Sequence, residues 1–350
     1  MNIRAQSTRR APAAARVITL SHGAGGKASH ALVEDIFLEA FGNPQLAQLG
    51  DGALVKVMGE DLAFSTDSFV VSPIFFPGGC LGDLAVNGTI NDLAACGAQP
   101  LALSAGFVIE EGFSFSDLIR LTEAMAGAAR RAGTSIVTGD TKVVEKGKAD
   151  GCFINTSGIG LVDPRARRLS AAGARPGDEV LVSGPIGDHG AAVMVARAEL
   201  GISAPVRSDT AALNTLVATL LSAIGNHAHV LRDPTRGGLA TVLNEVAESS
   251  RVGVLLDEDS VPVRHEVAGV CELLGIDPLY VACEGRMMAV VAEGYGELAL
   301  EAWRAHPLGA ESAIVGRVEA GPEGLVLEQT SFGGRRVVDM LVGDPLPRIC

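Results

Sequence analysis

The sequence predicts an α/β protein of two domains, and three observations lead there. A chain of 350 residues is long enough for two cores of roughly 100–200 residues each. Short β-branched runs alternate with Ala- and Gly-rich helical stretches from Arg16 to about Val162, and the alternation resumes after Asp178. Gly supplies 43 residues while aromatics make up only 4%, which calls for an aliphatic core joined by many tight turns and not for a helical bundle.

Taken in order, the first 16 residues carry Arg4, Arg9, Arg10 and Arg16 without a continuous apolar segment and are expected to be a disordered extension, with a targeting sequence as the alternative. An N-terminal domain is expected over residues 17–163. Its strands are predicted at Ala53–Met58, Leu62–Ser65, Leu101–Ile109, Ser135–Thr138 and Phe153–Leu161. Helices are predicted at Asp83–Cys96 and Ser116–Ala132, the second with Ser116 as its N-cap. From Asp163 to Asp178 two prolines, two glycines and four arginines mark a connection. A second domain over residues 175–330 follows, with strands at Glu179–Ser183, Val252–Leu256 and Met287–Val291 and helices around Ala191, Leu213 and Leu239. In the last twenty residues, 331–350, Gly333-Gly334, Pro345 and Pro347 disfavour regular structure. A mobile tail is expected there, able to reach on the order of 60 Å when extended.

A net charge of −13 with no basic stripe excludes nucleic acid as a partner. Hydrophobic residues make up 47% of the chain, yet every apolar run is broken well short of the roughly 18 residues a membrane span needs. No membrane partner is expected. Six dispersed cysteines, none in a C-x-x-C pair, fit a reducing cytoplasm better than a disulfide framework or zinc knuckle.

Several constellations point to phosphate and metal chemistry. The loop Ser21-His22-Gly23-Ala24-Gly25-Gly26-Lys27 precedes a predicted helix; its glycines let backbone N–H groups approach phosphate, and Lys27 adds positive potential. It lacks Walker A spacing, so a flexible turn is the competing reading. Asp51, Asp67, Asp92, Asp140 and Asp233 each read as lying in a turn before or after a strand, and hard divalent cations take carboxylate oxygens. Any one of them alone reads as a cap or turn former. Lys142, two residues beyond Asp140 in GDTK, would neutralise phosphate or move a proton, against the plain alternative of a solvated surface lysine. Glu284 and Arg286 in CEGRM stand before a strand, with a surface salt bridge as their alternative. Cys350 closes the sequence in a polar setting where a core role is hard to sustain; its α-carboxylate should raise the thiol pKa and Arg348 should oppose that.

With the glycine loop, the blocks FSTDSFVVSPIFFPGG, LAVNGTINDLAACGAQPLALSAGFVIEEG, GDTKVVEKGKADG, FINTSGIG, RDPTRGGLA, ACEGRMMAV and the final PRIC resemble the HypE family of hydrogenase maturation proteins. That family shares a superfamily with aminoimidazole ribonucleotide synthetase and selenophosphate synthetase. The matching blocks run from Ser21 to Cys350. The resemblance implies a two-domain PurM-like (AIR synthase-like) fold whose N-terminal sheet forms a β-barrel across a homodimer. It also implies an ATP-dependent carbamoyl dehydratase. Cys350 would receive a carbamoyl group from a HypF carbamoyltransferase, and the S-carboxamide would be dehydrated to an S-cyanate. The cyano group would pass to iron on HypC–HypD as a ligand of nickel–iron hydrogenase.

Carried onto these positions, the catalytic candidates are Cys350, Lys142, Glu284 and Asp92. The ATP-binding candidates are His22, Gly23, Gly25, Gly26, Lys27, Asp67, Asn91, Asp140, Thr141 and Lys142. The Mg²⁺ candidates are Asp51, Asp67, Asp92, Asp140 and Asp233. Two rivals stand beside this reading. A sister synthetase such as selenophosphate synthetase would place a reactive cysteine near the glycine loop, whereas none precedes Cys80. A non-catalytic carrier would use ATP only to switch the tail, and would not need Lys142, Glu284 and the aspartates.

Overall fold

The fold is taken from a computed structural model that describes residues 17–197, 201, 203–343 and 346–350. The extension expected over residues 1–16 lies outside the described residues.

The first sheet has the order β1 (Ala53–Val57), β2 (Glu60–Phe69), β7 (Cys152–Val162), β5 (Ala98–Glu110), β6 (Ile136–Val144). Only the β5–β6 pair is parallel; β3 (Phe75–Phe76) and β4 (Gly79–Cys80) form a small separate ribbon. Alternation along β7 puts Ile154 and Thr156 on a buried face and Asn155 and Ile159 on the other. The buried face is covered by α3 (Leu81–Ala95) and α4 (Phe115–Arg131). The sequence pointed to Ser116 as the cap of α4. The structure uses Ser114, whose hydroxyl accepts from Asp117 N–H, because the capped end lies two residues earlier than expected. Helix α3 is buried almost all round, since its other side meets the second domain. No such cover exists over the opposite sheet face, where Val55, Phe64, Val108, Ile159 and Leu161 are each 38–47% exposed.

The second sheet has seven strands in the order β14 (Arg335–Val338), β13 (Val326–Gln329), β10 (Gly253–Asp257), β12 (Ala313–Glu319), β8 (Glu179–Val182), β11 (Met288–Val291), β9 (Ala228–Arg232). Val180 and Val182 point to α7 (Gly238–Ser250), while Leu181 points to α6 (Asn214–Ile224) and α9 (Gly296–Arg304). Both faces of the central strands are therefore dry, which is why they read as unbroken apolar runs. Helices α5 (Asp188–Ala196) and α8 (His265–Leu274) form a lateral cluster. No described helix is long and apolar enough to cross a membrane.

Gly333-Gly334 lies in the turn between β13 and β14, with Gly333 at φ +85°, and Thr330 and Gly334 bond across it. Beyond it the C-terminal segment contributes β14, and residues 346–350 are docked in this structure. Ile349 is buried in one apolar cluster with Leu81 and Val193, and Cys350 lies beside β2's end, where Val70 N–H donates to its carbonyl (3.1 Å). The glycine loop and the short α1 (Lys27–Leu32) rest on the second domain, not on the first sheet. A side chain at Gly26 would strike the Leu341 carbonyl at 2.2 Å, and one at Gly25 would strike Arg236 at 2.8 Å.

Candidate functional site

Three aspartates arrive at one point from three elements. Asp51 precedes β1, Asp92 sits in the last turn of α3, and Asp233 follows β9 across the domain boundary. One carboxylate oxygen from each lies within 4.8 Å of the others. The Ser65 hydroxyl on β2 donates to Asp92 at 2.5 Å, and Arg232 pairs with Asp51 at 2.8 Å and with Glu245 at 2.8 Å. Burial, opposed by Arg232, raises Asp51 to about 6; burial and Asp51 raise Asp233 to about 8. Asp92 is pushed well above the ordinary carboxylate range by burial and then by Asp233, Asp51 and Asp67. These oxygens fit a hard divalent cation: they are buried or half-buried, close together, and only Asp51 among them is paired with a cation, Arg232.

A second pocket adjoins the cluster. It is lined by Cys350, Ile349, Asp67, Gly23 and Arg236. The Cys350 thiol also meets the buried Glu284 carboxyl, whose Oε1 has no hydrogen-bond partner among the described residues. Burial, then the charges of Asp233, Asp67 and Asp209, hold Glu284 well above its usual pKa, with Arg236 opposing. Burial and Glu284 likewise push the Cys350 thiol up, while Arg236 draws it down. Burial raises Asp67 too, countered by Arg236. On the other side of the cluster a wider cleft is bounded by Gly25, Ser29, Leu49, Asp51, Phe64 and Arg236. Arg236 thus borders both spaces, and its Nη1 donates to the Gly23 carbonyl at 2.9 Å.

The sequence candidates divide accordingly. Asp51, Asp92 and Asp233 come together, with Asp67, Glu284 and Cys350 beside them. The structure separates Asp140, Thr141 and Lys142 from this group within the chain. They lie on the edge strand β6, where Lys142 pairs with Asp140 at 2.8 Å and both are about 70% exposed. Asp140 and Lys142 stand opposite Gly106 and Val108, so they share the uncovered face of the sheet, whereas Asp67 and Asp92 are on the helix-covered side. The Lys142 pair lowers the Asp140 pKa.

Asn91, a nucleotide-binding candidate, clamps the two domains in this structure. Its Nδ2 donates to the carbonyls of Ala211 (3.1 Å) and Glu284 (3.2 Å), and its Oδ1 accepts from Leu213 N–H (2.9 Å). Lys27 is committed to Asp339 at 2.7 Å, and His22 caps its own turn through Thr19. Gly23 and Gly25 do border the two pockets. Arg232, Arg236 and Asp209 carried no weight in the sequence reading. Arg236 lay in the block RDPTRGGLA, and a cation between glycines and an aspartate was its only signal.

Comparison with known proteins gives this arrangement its class. Residues 49–162 match the AIR synthase related protein, N-terminal domain, and residues 175–327 match the corresponding C-terminal domain. Carbamoyl dehydratase HypE of Rhizobium leguminosarum bv. viciae is 54% identical over 333 residues, 95% of each chain. Among solved structures, the HypE–HypF complex contains a chain with TM-score 0.84 and 48% identity, covering 89% of this chain and all of that one. HypE in complex with ATP has TM-score 0.80 and 47% identity over 95% of this chain and all of that one. The chain belongs to the AIR synthase related proteins and, within them, to the HypE family.

Proposed function

We propose that this chain is an ATP-dependent carbamoyl dehydratase that converts the S-carboxamide on its own Cys350 to an S-cyanate, which becomes a cyanide ligand of nickel–iron hydrogenase. The observation that carries the reading is the contact of buried Glu284 with the Cys350 thiol, whose pocket shares Arg236 with a cleft beside three carboxylates. Relatives called carbamoyl dehydratase HypE, and a relative's structure with ATP, support it.

A primary amide holds its oxygen firmly, and transfer of the γ-phosphoryl group of ATP to that oxygen makes it a leaving group. The C–O bond then breaks, phosphate departs with the oxygen, and nitrogen gives up two protons as the C≡N bond forms. Asp51, Asp92 and Asp233 would hold Mg²⁺, which when bound offsets phosphate charge. Asp92 takes the metal-holding part in this reading. Glu284 takes a proton from the amide nitrogen, and Arg236 faces the charge developing on phosphate. A cation held at Asp233 would bring positive charge beside Glu284 and weaken its hold on a proton, which readies the base.

Lys142 and Asp140 serve a second copy in this reading. They share the uncovered apolar sheet face, and a homodimer pairing two such faces would carry them towards the other chain. A HypF carbamoyltransferase loads Cys350 after the tail undocks, in keeping with a relative's HypE–HypF structure. HypC–HypD receives the cyano group, in the cytoplasm. The test is to load Cys350 with carbamoyl, add MgATP and weigh the C-terminal peptide. Loss of the mass of one water is expected; ATP consumption with an unchanged carboxamide would favour the carrier reading.

A further inference from the structure

His189 is the second residue of α5, has no exposed surface and takes no part in the proposed reaction. Its ring is nevertheless fully engaged. Nε2 lies 2.9 Å from the Ile349 carbonyl, and Nδ1 lies 2.8 Å from Ser208 Oγ. A carbonyl can only accept, so Nε2 carries the hydrogen; Nδ1 of the neutral ring then accepts from the Ser208 hydroxyl. The Ser208 oxygen in turn accepts from Thr210 N–H at 3.1 Å. Burial keeps the ring neutral by lowering its pKa to about 4, and Phe76 packs edge-on against it, with ring centroids 5.3 Å apart.

The segment behind His189 is itself tied down. Ser208 N–H donates to the Pro77 carbonyl at 2.8 Å, and the neighbouring Asp209 carboxylate accepts from Glu284 N–H at 3.1 Å. One short stretch, Ser208–Thr210, therefore bears on both the candidate base and the terminal residues. Elsewhere the tail is gripped further back: Arg197 donates to the Pro347 carbonyl, and Ser72 N–H to the Arg348 carbonyl.

We propose that His189 is a positioning residue, which seats the Cys350 thiol against Glu284 by donating from Nε2 to the carbonyl of the preceding residue. The proposal rests on reading Cys350 as the reacting group and adds the device that aims it. A neutral imidazole, rigid and without charge, fixes the tail backbone without disturbing the field around Glu284.

The test compares wild type, His189→Ala, His189→Gln and Ser208→Ala, each treated with iodoacetamide without nucleotide or partner. Alkylation of the C-terminal peptide is followed by mass. Only the thiolate reacts, and docking against Glu284 keeps the half-buried Cys350 as a thiol, so the rate reports the undocked fraction. His189→Ala leaves a buried carbonyl without a donor and should label about tenfold faster. Ser208→Ala should show a smaller increase at an unchanged melting temperature. His189→Gln, whose amide still donates, should stay near the wild-type rate. Equal rates in all four proteins would overturn the proposal, and so would equal acceleration in the Ala and Gln variants. If His189→Ala does not fold, wild-type labelling of Ser208→Ala overturns it. Dehydration is not measured, so the labelling result stands even if Cys350 proves to carry some other group.

Discussion

Asp51, Asp92 and Asp233 are written in the sequence much as Asp140 is, as single aspartates at the ends of strands and helices, yet the fold treats the two sets in opposite ways. The first three are buried together and their carboxyls are raised towards or beyond neutrality. Asp140 stands on an edge strand in solvent, paired with Lys142 and lowered in pKa. Burial and company, not residue type, decide which carboxylates are short of a cation. The contrast also separates what one chain completes by itself from what it would need a second copy to supply.

The largest effect should come from the buried side of this contrast. Glu284→Gln keeps the shape but removes the base, and water loss from loaded Cys350 should slow by about 10²–10⁴-fold while loading is retained. Measuring both on one protein by peptide mass separates the steps, and dehydration at the normal rate would remove Glu284 from its role. Lys142→Ala should also dehydrate poorly. Mixed with Glu284→Gln and allowed to exchange subunits, however, it should recover about a quarter of wild-type activity, because half of the dimers then hold one intact site of two. No recovery would mean that Lys142 does not act on a second copy.

Much of this was open to a sequence reader and some of it was not. The strands of both domains are β-branched runs bounded by turn residues, so their existence follows from local chemistry. The three-aspartate cluster could only be guessed at, because it joins residues from both domains, and sequence spacing says nothing about which strand ends meet. Strand β6 shows the difficulty from the other side. IVTGDTKVV has no apolar alternation, and as an edge strand exposed along most of its length it gives no sign of which face Lys142 takes. The glycine loop was legible as a place of close approach, but the approach is to Arg236 and Leu341 as well as to an open cleft. Asn91 makes a related point: its clamp on the backbone at Glu284 and Leu213 joins residues far apart in sequence, and no local pattern announces it.

Proton linkage gives a smaller but cleaner discriminator. Asp233, raised to about 8 from 3.8, binds a proton in the folded state that the unfolded chain releases. Its protonation therefore stabilises fully below about pH 4 and fades as pH climbs through 8. The melting temperature of metal-free wild type, minus that of Asp233→Asn, should accordingly fall between pH 6 and pH 8. Mg²⁺ should raise the wild-type melting temperature more at pH 8 than at pH 5.5, since the cation competes with protons for the same oxygens. An equal Mg²⁺ effect at both values, or none, would argue against a cation among these aspartates.

The smallest effect belongs to the exposed pair. Asp140→Asn breaks an ion pair in which both partners are about 70% exposed, a setting where Coulomb attraction is screened and side-chain entropy opposes the pairing. Without nucleotide its melting temperature should be indistinguishable from wild type. Asp51→Asn, by contrast, takes one of two carboxylates from the buried Arg232 and should lower it measurably. A drop for Asp140→Asn as large as that for Asp51→Asn would mean the pair is desolvated in solution even without ligand. The division between a self-contained cluster and an outward-facing pair would then have to be abandoned.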